Sequence, residues 1–333
     1  MTERADLLGV QFADAGLERS VRAGLDAVEL ALRAAVKADD EFVRDAASYL
    51  VAAGGKRFRP LVSLLAAQFG DATRPEIVTA AVVVELTHLA TLYHDDVMDE
   101  AAVRRGAVSA NARWDNTVAI LTGDFLFSRA SNLLADLGPH AVRLQAQTFE
   151  RLVTGQIHET VGPADGADPI EHYLGVLADK TGSLIATAAE FGAHFAGVDG
   201  ELIGRLRRFG EQIGVAFQIS DDILDIASDS DESGKTPGTD LREGILTLPV
   251  LYALRSVDAA DAELRALVSG PLLDDGRHAT ALRLLRESAA LDEARATLRS
   301  YADSSRALLA DLPDVPARSA LETLTDVVIA RTR

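Results

Sequence analysis

The sequence contains no cysteine in 333 residues. A disulfide scaffold, a thiolate metal centre and a cysteine nucleophile are therefore excluded. Aromatic residues are also scarce, with 1 Trp and 5 Tyr, which leaves little for a base-stacking surface. Positive charge is in the minority, with 33 Lys and Arg against 51 Asp and Glu and a net charge of -18. Such a chain is not built to hold a nucleic-acid backbone, and no nucleic-acid partner is expected. No apolar run approaches the ~20 residues that span a bilayer. The longest, Ala80 to Leu92, is interrupted by Glu85 and His88. The opening MTERADLLGV lacks the basic-then-apolar order of a signal peptide. The expectation is a soluble, cytoplasmic protein. With 48% hydrophobic and 25% charged residues, the composition is globular and far from that of a disordered chain.

Helical periodicity dominates what is present. From Ser20 to Ala38, Val21, Leu25, Val28, Leu32 and Val36 recur at three- and four-residue steps, with charged residues between them. Similar stripes run through Glu41 to Val51, Pro60 to Phe69, Pro75 to Tyr93, Thr117 to Leu137 and Ala141 to Val161. They continue in Ile170 to Phe195, Leu202 to Ile226, Leu248 to Val257, Arg277 to Leu308 and Ala317 to Ile329. Pro60, Pro75 and Pro169 stand where helices can open, and Gly70, Gly138 and Gly197 where they can end. Asp165 to Pro169 and Asp229 to Gly238 read as loops. No linker or repeat divides the chain. The pattern predicts an all-α fold, one domain over residues 1–333 with roughly ten or more helices.

Two acidic clusters stand out. Asp95, Asp96 and Asp99 close the apolar stretch that ends at Tyr93, and Asp221, Asp222 and Asp225 repeat the same spacing after Val215 to Ile219. On a helix, residues four apart share a face, so Asp95 repels Asp99 and Asp221 repels Asp225. One such cluster is compatible with a solvated helix end. Two, each following a buried-looking helix, point to a divalent cation, and all-carboxylate ligands suit Mg²⁺ serving a phosphate.

Cations are concentrated in two short places. Gly54-Gly55-Lys56-Arg57-Phe58-Arg59-Pro60 sets three of them beside two glycines, and Pro60 opens a helix whose N-terminus also favours an anion. Arg104 and Arg105 follow Asp99 closely. His88 precedes Asp95 by two helical turns and shares its face. Lys180, Thr181 and Lys235 are weaker candidates as surface residues in their own right. Metal sites, cationic phosphate sites and long apolar helices together suit a small apolar molecule carrying a diphosphate.

The markers GGKRFRP, ELTHLATLYHDDVMDEAAVRRG, LTGDFLFSRA, DKTGSLIA, FQISDDILD and GKTPGTDLREGILTLP occur in this order. In these the chain resembles the trans-isoprenyl diphosphate synthases, or polyprenyl synthetases, of the long-chain bacterial type. The resemblance implies antiparallel helices around a deep central cavity, usually in a homodimer. It implies that Asp95, Asp96, Asp99, Asp221, Asp222 and Asp225 hold three Mg²⁺ ions on an allylic diphosphate. Arg104, Lys180, Thr181, Gln218 and Lys235 match positions that contact that diphosphate. Lys56, Arg59, His88 and Arg105 match positions that bind isopentenyl diphosphate. Ala90 and Thr91, with Leu86, Thr87 and Val83 further back, match the wall along which the product tail grows. Small residues at Ala90 and Thr91 imply a long product, from heptaprenyl to decaprenyl, of the kind used for a quinone side chain, released with transient membrane contact. Short-chain farnesyl or geranylgeranyl synthesis is the alternative within the family. A class I terpene cyclase, or one subunit of a heteromeric prenyl synthase, are the alternatives beyond it.

Overall fold

The computed structural model describes residues 9–228 and 237–332, and among them α-helix is the dominant element. The first helices are α1 (Ala15–Ala35), α2 (Glu41–Ala52), α3 (Phe58–Ala67) and α4 (Pro75–Met98). A two-stranded hairpin follows, β1 (Val103–Arg104) with β2 (Ala107–Val108), then α5 (Ala110–Arg113), α6 (Asn116–Leu137) and α7 (Pro139–Val161). Next come α8 (Pro169–Leu177), a π-turn at Ala178–Gly182, α9 (Ser183–Phe195) and α10 (Gly200–Ala227). The remaining chain forms shorter helices and the longer Asp275–Glu287, Ala289–Leu309 and Pro316–Ala330.

Local chemistry explains the boundaries. Helix α1 begins before the expected Ser20 because the Asp14 carboxylate caps it, accepting from Leu17 N at 2.6 Å. Asp40, Asp115 and Asp168 cap α2, α6 and α8 in the same way. The buried stripe of α1 is Leu17, Val21, Leu25, Val28 and Leu32. Helix α3 opens at Phe58, so Pro60 lies inside its first turn, where proline is still tolerated. Arg277 to Leu308, read as one stripe, is two helices, because Ser288 is extended with φ -85 and ψ 153.

The chain forms two compact units. The first contains Met1–Glu150, Leu184–Gly210 and Asp311–Thr323, and the second Arg151–Ser183, Glu211–Ala310 and Leu324–Arg333. In the first, α4 packs on α1, α3 and α6. Its buried side chains are mostly apolar, from Ile77 and Ala80 to Ala90 and Tyr93, with Glu85 and Thr87 among them. By length and composition this helix could cross a membrane, contrary to the sequence expectation of no such run, but its most apolar stretch is mostly buried inside the protein. It is a core helix, and it carries the first aspartate cluster at its C-terminal end. In the second unit Leu248–Arg255 packs against both Ala289–Leu309 and α8.

Candidate active site

The first unit gathers one acidic cluster and most of the candidate cations. Asp95 and Asp96 lie in the last turn of α4, and Asp99 is its C-cap. Asp96 is fully buried. Its Oδ1 accepts from Arg104 Nε at 2.5 Å, while its Oδ2 is buried with no hydrogen-bond partner. Burial raises the Asp96 pKa against the pull of Arg104. Arg104 Nη2 also stands 4.0 Å from Asp99, whose side chain is half exposed. Arg104 belongs to β1, so the hairpin delivers it to the carboxylates.

The hairpin turn is Arg105-Gly106, with φ 53 and 76. Both central residues are left-handed, as a two-residue turn matching strand twist requires. Positive φ at non-glycine residues occurs among the described residues at Arg57, Glu100 and Arg105, all flanking this cluster. Such strain collects at functional sites, where the surrounding structure over-determines the backbone. The Arg105 guanidinium donates to Leu50 O at 3.2 Å and to Gly54 O. It lies flat over Gly55, where a Cβ would come within 3.0 Å of it. What the glycine pair admits closely is therefore the Arg105 side chain.

The three cations of GGKRFRP have different fates. Arg57 turns inward, pairing with Glu85 and Glu29 at 2.9 Å each and donating to Val51 O at 3.2 Å. That arginine is structural. Lys56 is exposed. Arg59 is partly buried and its Nε has no hydrogen-bond partner. Burial pushes its pKa down to about 10, with Arg105 adding to the depression and Glu85 and Asp95 opposing it. Burial, together with Arg59, Arg105, Arg57 and Arg104, holds His88 well below the usual imidazole range. His88 is thus a neutral imidazole in a cationic setting. Arg59, His88 and Arg105 together have the character of an anion site.

Of the chain-length candidates, Ala90, Leu86, Thr87 and Val83 are buried and Thr91 is partly so. Thr87 is already engaged, donating to Val83 O at 2.9 Å and accepting from Gln145 Nε2 at 2.8 Å.

The second unit holds the other acidic cluster near the C-terminal end of α10. Asp222 is buried and both its oxygens are taken: Gln218 Nε2 donates to Oδ1 at 3.0 Å and the Tyr173 hydroxyl donates to Oδ2. Burial pushes the Asp222 pKa up to about 7, against those two hydrogen bonds and with Asp221 and Asp225 adding to the rise. Asp225 accepts from Thr239 N at 3.2 Å and Asp240 N at 3.1 Å, capping the short helix Thr239–Glu243. Asp221 pairs with Arg331 at 2.6 Å, and the Arg331 guanidinium lies 4.9 Å from the Phe217 ring centroid. Lys180 and Thr181 sit on the π-turn, where Thr181 Oγ1 is 3.5 Å from Gln218 Oε1. Lys235 lies outside the described residues. Sequence reading missed Tyr173 and Arg331, since neither belongs to a charged motif and each reaches its carboxylate from a distant segment.

The Asp222 shift has a consequence for stability. Its folded pKa lies above the unfolded value, so its favourable contribution is complete below about pH 4 and lost as pH rises through about 7. In metal-free protein, Asp222→Asn should therefore gain stability relative to the parent between pH 5 and 8, by ~2–4 kcal/mol at most. Denaturant unfolding at both pH values measures this. A constant difference between the two proteins would contradict the buried-carboxylate account.

The donors in each unit suit a hard divalent cation: in the first, Asp96 offers an orphaned buried carboxylate oxygen, and in the second, burial opposes the charge on Asp222. Among the described residues no group of three or more His, Asp or Glu side chains closes around a point.

The chain is all-α, with an aspartate cluster in each unit and arginines beside the first, residue types that suit an enzyme of phosphate chemistry. The chain belongs to the polyprenyl synthetase family, whose model matches residues 40–284, and it is a prenyltransferase. It is 56% identical over 255 residues to the nonaprenyl diphosphate synthase of Mycobacterium tuberculosis, covering 77% of this chain and 76% of that one. A solved geranylgeranyl pyrophosphate synthase from Corynebacterium glutamicum, complexed with calcium and isoprenyl diphosphate, is 48% identical with a TM-score of 0.86, covering 97% of this chain and 99% of that one. A decaprenyl diphosphate synthase from Rhodobacter capsulatus gives the same TM-score of 0.86 at 33% identity, covering 96% and 99%.

Proposed function

We propose that this chain is an all-trans polyprenyl diphosphate synthase that condenses isopentenyl diphosphate head-to-tail with an allylic diphosphate. Its product is a long chain, heptaprenyl to decaprenyl, suited to a quinone side chain. The observation that carries this reading is the cluster of Arg59, Arg105 and neutral His88 beside the acidic end of α4. An enzyme that only ionises one diphosphate has no need of that second anion site, which argues against a terpene cyclase. Both aspartate clusters are intact, which argues for a self-sufficient catalytic chain. The likeness to the nonaprenyl synthase supports a long product.

Lys56, Arg59, His88 and Arg105 hold isopentenyl diphosphate, and Arg104, Lys180, Thr181, Gln218 and Lys235 hold the allylic diphosphate. Three Mg²⁺ ions, held through Asp95, Asp96, Asp99, Asp221, Asp222 and Asp225, would neutralise the diphosphate and make it a better leaving group. The cations of the chain add to that stabilisation as the allylic carbon–oxygen bond breaks. The two sets of phosphate contacts hold the C1 cation against the isopentenyl double bond. A carbon–carbon bond forms, and the C2 proton leaves to the released diphosphate, so no side-chain base is required. Apolar walls along α4 keep water from capturing the cation.

The enzyme in this reading is a homodimer in the cytoplasm; exposed Ile120 and Leu121 on α6 and Val142 on α7 offer apolar side chains to a second copy. Removing the tail from its apolar wall costs about 0.8 kcal/mol per methylene, so product leaves slowly and is helped by membrane contact.

Arg59→Ala should raise the Michaelis constant for isopentenyl diphosphate by one to two decades, the loss of a charge-assisted contact of ~1.5–3 kcal/mol. Steady-state kinetics with each substrate varied in turn checks this. A change confined to the allylic substrate would reverse the assignment.

A further inference from the structure

The π-turn Ala178–Gly182 separates α8 from α9 and carries Lys180 and Thr181. A π-turn is rare and frequently marks a functional site, because its extra residue swings side chains out of the ordinary helical register. Something must hold that register, and α7 meets the turn at three successive levels. Arg151, Gly155 and Glu159 are spaced by four and share one face of α7. Arg151 bridges two carboxylates, donating from Nε to Asp179 Oδ1 at 2.9 Å and from Nη2 to Glu211 Oε1 at 2.6 Å. A Cβ at Gly155 would lie 2.8 Å from Lys180 N and 3.0 Å from Asp179 Cβ, so the backbone of the turn rests directly on α7. Glu159 Oε2 meets Lys180 Nζ at 2.5 Å. Within the turn, Ser183 Oγ donates to Asp179 O at 2.5 Å.

We propose that Arg151 is a positioning residue for the allylic diphosphate: by tying Asp179 of the π-turn to Glu211 of α10, it fixes where Lys180 and Thr181 present their ammonium and hydroxyl groups. A rigid guanidinium fork can hold two carboxylates at once, and a single ammonium is a poorer substitute. The bridge also keeps the Asp179 charge satisfied. Without it, Asp179 is left with an uncompensated charge next to Lys180, whose ammonium is held on its other side by Glu159. Arg151 itself need not touch the substrate, and no charged motif includes it.

The inference rests on the assignment of Lys180 and Thr181 to the allylic diphosphate, so the test includes a Lys180 variant beside those of Arg151. The full-length protein is assayed with farnesyl diphosphate varied at saturating isopentenyl diphosphate, and then the reverse, for Arg151→Met, Arg151→Lys and Lys180→Ala, with the melting temperature of each. Arg151→Met should raise the Michaelis constant for farnesyl diphosphate about tenfold or more and leave that for isopentenyl diphosphate unchanged. Lys180→Ala should move the same constant in the same direction, and Arg151→Lys should recover part of the loss. If Arg151→Met does not fold, Glu211→Gln, which removes only the far anchor, should give a smaller change of the same kind. Equal changes in both constants, or a lowered melting temperature with unchanged kinetics, would overturn the inference while leaving the site intact. An unchanged farnesyl constant in Lys180→Ala would instead overturn the allylic assignment, and this inference with it.

Discussion

Replacing Asp95 or Asp221 with alanine is expected to lower turnover by about three orders of magnitude or more while the helical fold survives. The kinetic loss follows from the chemistry, since charge developing on a leaving diphosphate must be met by cations that these carboxylates hold. Survival of the fold follows from the electrostatics. Asp95 sits in the last turn of α4 with Asp99 four residues on, so losing its charge relieves a like-charge pair at one-turn spacing. Asp221 has 39% of its side chain exposed and is paired with Arg331, so its loss costs at most one part-buried ion pair, which a fold of this size tolerates. Circular dichroism and kcat in saturating Mg²⁺ measure the two halves of the expectation. Near-normal turnover in either variant would remove that cluster from the metal site.

Ala90→Phe is expected to shorten the product toward farnesyl or geranylgeranyl diphosphate while activity is kept. In the proposed reading the tail grows along α4, and Val78 to Leu92 supplies roughly 22 Å of helix wall at about 1.5 Å per residue. Ala90 is fully buried, and its carbonyl lies 3.0 Å from where a Cβ at Gly123 of α6 would stand. Backbone contact is therefore tight at the Ala90 carbonyl, and the outcome depends on whether a phenyl ring enters the space that the tail uses. If it does, the product shortens and stability changes little. If Ala90 instead packs against protein, the ring overfills the core, destabilising by about 1–3 kcal/mol with product length unchanged. Chromatography of the products and thermal unfolding separate the two outcomes.

The all-α fold was legible because nearly every helix has an apolar stripe, and the stripes mark where the helices run. Their ends were less so. The start of α1 depends on one capping carboxylate at Asp14, and the split near Ser288 on a single extended residue. The hairpin at Arg104 and Arg105 could not be read from alternation, because its strands are two residues long. The π-turn is invisible in sequence, since Ala178 to Gly182 lie inside a continuous helical stripe. At the site, residue type located the carboxylates and cations, but Arg57 and Arg59 are indistinguishable until the partners of each are seen. Arg57 meets Glu29 and Glu85 from remote helices, and Arg59 keeps an unpartnered Nε. Tyr173, Arg151 and Arg331 act through contacts between segments far apart in the chain, which periodicity and motif spacing do not encode.

The central claim is that this chain alone builds a long all-trans polyprenyl diphosphate. It is tested most directly by incubating the purified protein with Mg²⁺, labelled isopentenyl diphosphate and each allylic primer in turn, and measuring product length. The account predicts a product in the heptaprenyl to decaprenyl range without any added subunit. A product that stops at fifteen or twenty carbons, or no product until a second protein is supplied, would contradict it.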